Sequence, residues 1–147
     1  LEPDKVTGTN KYTMRAKQFI IEGKQEKERF IEMFKDFLPM AMKILGIDRL
    51  PKMDFEPALH IGHQPSFGMY VNGEKTLHVG ISNRHPVDIL RTVAHELVHF
   101  RQDLRGELND QSGVTGSPEE NQAHEIAGVI MRNFNKKYPK YLESKPL

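Results

Sequence analysis

The chain is 147 residues long, with 37% hydrophobic and 28% charged residues, one domain's worth of sequence with a modest core. Its 21 Lys and Arg stand against 20 Asp and Glu, so it lacks the basic excess of a protein that coats a polyanion. It has no cysteine and seven histidines. That excludes disulfide frameworks, thiol nucleophiles and thiolate metal sites, and it fits a cytoplasmic or otherwise intracellular, reducing compartment.

No apolar run approaches the roughly 18–20 residues of a membrane span, and the polar first ten residues lack the apolar core of a signal peptide. The sequence opens on Leu1 rather than Met, as expected of a fragment or a processed form. Residues 1–10, with Pro3, Gly8 and Asn10, read as a flexible tail, and residues 11–147 as a single domain.

Tyr12, Ala16, Phe19 and Ile20 recur at helical spacing, and Gly23 closes the run. A second stripe, Phe30, Phe34, Phe37, Leu38, Ala41 and Leu45, predicts a stronger helix ending at Gly46. Pro39 within it predicts a kink or two abutting helices. Lys27, Glu28, Glu32, Lys35 and Asp36 form the solvated face. After Pro51 alternation replaces helical periodicity. Residues 55–61 read as a strand, and residues 68–71 and 76–81 as a hairpin around Asn72-Gly73. Pro86 and Asp88 open a helix expected to reach about Leu104. Residues 106–117 form a polar loop, and Pro118 starts a last helix that ends before Pro139. Ala123, Ile126, Ala127, Ile130 and Phe134 would face inward on it. N-terminal helices, a small mostly antiparallel sheet, a helix, a loop and a helix make an α+β fold.

The chemistry concentrates in His95-Glu96-Leu97-Val98-His99. Two histidines four apart on a helix project from one face, at a separation that suits two ligands of a tetrahedral Zn²⁺ ion. Glu96 projects beside them, placed to act as general base toward an activated water rather than as a ligand. From the chain's own composition, chance supplies about 0.03 matches to this pattern, so the motif is informative. Catalytic zinc normally takes three protein ligands. With no cysteine present, the candidates are Glu119, Glu120, His124 and Glu125 on the last helix. Helical projection sets Glu119 and Glu120 on opposite flanks of the apolar face, His124 further round and Glu125 away. Ser117-Pro118-Glu119-Glu120 also matches a capping box, which needs no metal.

The segment resembles the gluzincin metallopeptidases, and more closely the minimal ImmA/IrrE-like zincin domains. Their second motif reads roughly Glu-x-x-Ala-x-x-x-Ala, here Glu120-Asn121-Gln122-Ala123-His124-Glu125-Ile126-Ala127. The resemblance covers residues 77–134. It implies a zincin-like fold whose C-terminal helix carries Glu120 as the third ligand. It also implies a residue four further on that orients a ligand histidine. That position is His124, where the family usually carries Asn or Asp. Arg101 likewise departs from the apolar residue usual just past the first motif.

The strand before the motif helix commonly forms the substrate edge in zincins. Leu77, His78, Val79, Gly80 and Ile81 are therefore expected to pair with an extended peptide by strand addition. His124, Arg101 and Tyr138 are candidates for stabilising an oxyanion. His60, His63 and His85 read as ordinary polar residues. The function expected is a zinc endopeptidase with one Zn²⁺ per chain, acting on a protein or peptide, with no membrane partner. The alternative is a catalytically silent binding or regulatory module. A nucleic-acid role is disfavoured by the net charge. It would rest on Arg132, Lys136, Lys137, Lys140 and Lys145, with Tyr138 and Tyr141 stacking on bases.

Overall fold

A computed structural model describes residues 11–147, with side chains from Lys24 onward except Pro65. The expected tail at residues 1–10 and the side chains of the stripe at 12–20 lie outside the described residues.

A single helix, α1 (Lys11–Leu45), stands where two were expected, running through both Gly23 and Pro39. A helical glycine costs only about 1 kcal/mol against alanine, too little to break a long helix. Pro39 and Lys35 are both exposed, so the Lys35 carbonyl that loses its donor at Pro39 can turn to water. Met33, Phe37, Ala41 and Leu45 are buried on the inner face. Gly46 ends the helix as expected, at φ +68°. Its N–H reaches Lys43 O while Ile47 N–H reaches Met42 O, the double bond of a Schellman cap.

The strand expected at residues 55–61 divides into β1 (Lys52–Glu56) and β2 (Leu59–Ile61), with Pro57 between them. β2 pairs antiparallel with β3 (Gln64–Ser66). The hairpin forms from β4 (Gly68–Val71) and β5 (Thr76–Gly80). Its loop is the four residues 72–75 that the expected strand bounds leave between them. Lys75, not Gly73, takes the left-handed conformation, at φ +51°. The main sheet has the order β1-β5-β4, with β1 parallel to β5.

The helix α2 (Pro86–Leu104) begins on His85, whose Nδ1 accepts from Val87 N–H. It packs against β4 and β5 on one side and α3 (Pro118–Lys137) on another, with α1 against both helices. Leu77 and Val79 from the sheet meet Leu90, Val93 and Leu97 of α2, Ala123 and Ile130 of α3, and Phe37 of α1 in one apolar cluster. The fold is α+β. No described helix is long and apolar enough to cross a membrane.

A final 3₁₀ turn (Pro139–Glu143) packs on α3 and α2. Tyr141 is buried, stacks on Phe134 and donates its hydroxyl to Asp36. It is therefore not available to stack on a base.

Candidate metal centre

α2 is buried on nearly every side, so its polar residues are informative. His95 and His99 sit one turn apart with ring centroids separated by 5.1 Å. The first turn of α3 meets them there. Ser117 caps this helix, its hydroxyl accepting from Glu120 N–H and donating to Ser112 O. The reciprocal half of a capping box is not made, because Ser117 N–H donates to Val114 O. The Glu120 carboxylate is left to face α2. Oε1 lies 2.7 Å from His95 Nε2, and Oε2 lies 3.1 Å from His99 Nε2. One donor atom from each of His95, His99 and Glu120 falls within 4.8 Å of the others.

The remaining candidates separate clearly. Glu119 turns away and accepts from Asn109 Nδ2. Glu125 is exposed. His124 is mostly exposed, with its Nε2 3.4 Å from Glu120 Oε1 and its ring 4.5 Å from that of His95. It approaches the cluster from outside. Arg101 reaches Leu45 O at the end of α1, and Tyr138 packs on Phe134. Of the three oxyanion candidates, only His124 lines the cleft.

Glu96 is 6% exposed, and its Oε2 has no hydrogen-bond partner among the described residues. Burial, reinforced by the nearby Glu120 carboxylate, pushes its pKa up to about 8. Burial also pulls His95 below its ordinary value, with the Glu120 carboxylate pulling the other way.

Gln102 was not singled out in the sequence, yet it is fully buried and completely bonded. Its Nε2 donates to Glu119 O at 3.0 Å and to Gln122 Oε1 at 2.8 Å. Its Oε1 lies 2.8 Å from His99 Nδ1. A main-chain carbonyl only accepts, which fixes the amide orientation and sets Oε1 toward the imidazole. Nδ1 then carries a proton toward Gln102, and Nε2 is the ring nitrogen turned to Glu120 Oε2, 3.1 Å away. The available signal was periodicity: positions 95, 99 and 102 share one helix face.

These donors suit a divalent cation such as zinc, which prefers imidazole nitrogen and carboxylate oxygen. Imidazole nitrogens and carboxylate oxygens converge here. Two carboxylates, Glu96 and Glu120, also lie close together in a largely buried setting.

The cluster forms the floor of a cleft of about 700 Å³. Phe67, Gly68, Met69 and Tyr70 make one wall, and Leu108, Asn109, Ser112 and Gly113 make another. The expected substrate strand requires correction. Leu77, His78, Val79 and Gly80 belong to β5, which is central and paired on both sides, and Ile81 follows it and donates to Glu56 O. Of the two edge strands, β1 and β4, it is β4 that lines the cleft. Gly80 N–H donates to Phe67 O at 3.0 Å, so alternation turns the main-chain groups of Gly68 and Tyr70 away from β5. Ser66 Oγ indeed reaches Gly68 O from that side.

Arg84, 8% exposed, binds this wall to α2. Its guanidinium donates to Gly80 O, Asp88 Oδ2 and Thr92 Oγ1 and lies 4.4 Å from the Phe67 ring centroid.

No protein-family model matches this chain, and no match was found among the curated proteins or the solved structures.

Proposed function

We propose that this protein is a zinc-dependent peptidase of the gluzincin kind, similar to the minimal ImmA/IrrE-like domains, acting on an extended protein or peptide. The observation that carries the reading is the placement of Glu96. It is a buried carboxylate with an unpartnered oxygen, beside the His95, His99 and Glu120 donors, on the floor of an open cleft. A carboxylate left so costs stability, and such groups concentrate where proton transfer is needed.

His95, His99 and Glu120 would hold the metal. Zinc in that position supplies Lewis acidity toward a substrate carbonyl and toward water. Glu96 takes the proton from the attacking water and returns it to the departing amine. The outward main-chain groups of Gly68 and Tyr70 pair with the substrate backbone and hold it extended over the floor. His124, at the cleft rim, is placed to donate toward the developing oxyanion. The cysteine-free composition suits work in a reducing, intracellular setting.

The test has two parts. Protein purified without added metal or a polyhistidine tag is assayed for zinc, with about one per chain expected. The zinc-loaded protein and Glu96→Gln are then compared on an unstructured protein substrate. The variant should keep its zinc and lose roughly 100-fold or more of the turnover, the range of a general base. Equal turnover would sink the mechanism. Zinc retained with no cleavage by either protein would favour a silent binding module.

A further inference from the structure

We propose that Gln102 is the positioning residue that couples the two ligand-bearing helices, selecting the His99 tautomer while anchoring the turn that delivers Glu120. The proposal rests on the metal reading above and goes beyond it to a residue outside the His-Glu-x-x-His motif and the donor set.

A buried glutamine side chain is expensive unless every polar atom is satisfied. Here each is, and each bond serves the cluster. Oε1 accepts from His99 Nδ1, which leaves Nε2 free to ligate. Nε2 donates to Glu119 O, the carbonyl immediately before Glu120, and to Gln122 Oε1 in the same turn of α3. One amide therefore fixes the orientation of one ligand and the main chain of another, 21 residues apart. A polar side chain that served only helix packing would not need its acceptor aimed at an imidazole. An apolar residue of similar volume would fill the space without the cost of burying an amide.

Two substitutions separate the roles. Gln102→Met keeps the volume and loses both functions. Gln102→Glu keeps the acceptor facing His99 and loses the donor to Glu119 O. The first readout is the His99 ring-nitrogen NMR spectrum of chelator-treated protein, which distinguishes the two neutral tautomers. Wild type and Gln102→Glu should show the proton on Nδ1, and Gln102→Met a substantial share on Nε2. The second readout is zinc affinity by chelator competition. Gln102→Met should bind roughly 10–100-fold more weakly, the usual effect of removing a partner behind a ligand, with Gln102→Glu between it and wild type.

Wild type with the proton on Nε2 overturns the proposal even if Gln102→Met does not fold. Zinc bound equally by wild type and Gln102→Met overturns it while leaving the metal reading intact. A wild-type protein that binds no zinc removes both.

Discussion

Gly68 in β4 lies against Thr92 in α2 so closely that a Cβ at position 68 would sit 2.5 Å from Thr92 Cγ2 and 3.5 Å from Glu96 Cγ. The strand that walls the cleft can approach the helix that carries Glu96 only because residue 68 has no side chain. Gly68→Ala should therefore destabilise by about 1–3 kcal/mol, the usual cost of overpacking, and lower Tm by several degrees. Adding Thr92→Ser removes the clashing methyl while keeping the hydroxyl that Arg84 uses, and should recover much of the loss. Independent, additive effects in thermal melts would refute the contact.

Glu96 should make the protein sensitive to alkali when no metal is bound. Its folded pKa of about 8 lies above the ordinary carboxylate value. The folded state therefore holds a proton that the unfolded state has released, and stability falls as pH rises between about 4.5 and 8. Glu96→Gln removes that slope, while His95 is common to both proteins and largely cancels. In chelator the two should unfold alike at pH 5, and the variant should be the more stable by a few kcal/mol at pH 8. Parallel denaturation midpoints across this range would show that Glu96 is not desolvated.

The contrast between Glu120 and His124 gives a clean test of the donor set. Glu120 faces both motif histidines, whereas His124 meets only one of its carboxylate oxygens from the exposed side. Glu120→Ala should weaken zinc binding by more than about 100-fold, since it removes one of three ligands. His124→Ala should change it by only a few-fold. Chelator competition on both variants decides, and the reverse ranking would make His124 the ligand.

Arg84 fastens the wall of the cleft. Its planar fork reaches a strand carbonyl, a helix carboxylate and a helix hydroxyl at once, which a lysine ammonium cannot copy. Arg84→Lys should cost about 1–3 kcal/mol through unmet buried hydrogen bonds. Because Phe67 loses the planar guanidinium it lies against, KM for peptides should rise more than kcat falls. An unchanged Tm would show that the fork is dispensable.

What could be read from the sequence was what depends on neighbours along the chain. The span of α2, its proline start, and the shared face of His95 and His99 follow from spacing within a few turns. Gly46 ended its helix for the same local reason. Strand order depends on which distant segments meet, and alternation in residues 76–81 carried no sign that β1 would arrive in parallel and make β5 central. Spacing alone leaves Glu120 among four candidates and only the resemblance singles it out, because where its carboxylate faces depends on how Ser117 caps α3 and bonds the loop at Ser112. Gln102 went unnoticed because a glutamine in a charged, amphipathic segment reads as surface. Of the two outcomes Pro39 allows, a kink or two abutting helices, the second is not seen, because what a proline does depends on whether the orphaned carbonyl faces water or the core.

An exposed strand edge recognises any extended backbone, including that of another copy of the same protein. The edge by which β4 would capture a peptide under the proposed function is also a surface through which these molecules could adhere to one another. β4 is only four residues long, and Ser66 already occupies the Gly68 carbonyl. A ladder built there is limited to a few rungs. That is enough to orient a chain already drawn into the cleft, and too few to sustain sheet growth from molecule to molecule. A longer β4 would strengthen peptide capture and self-adhesion together, so the two are held in check by the same four-residue length.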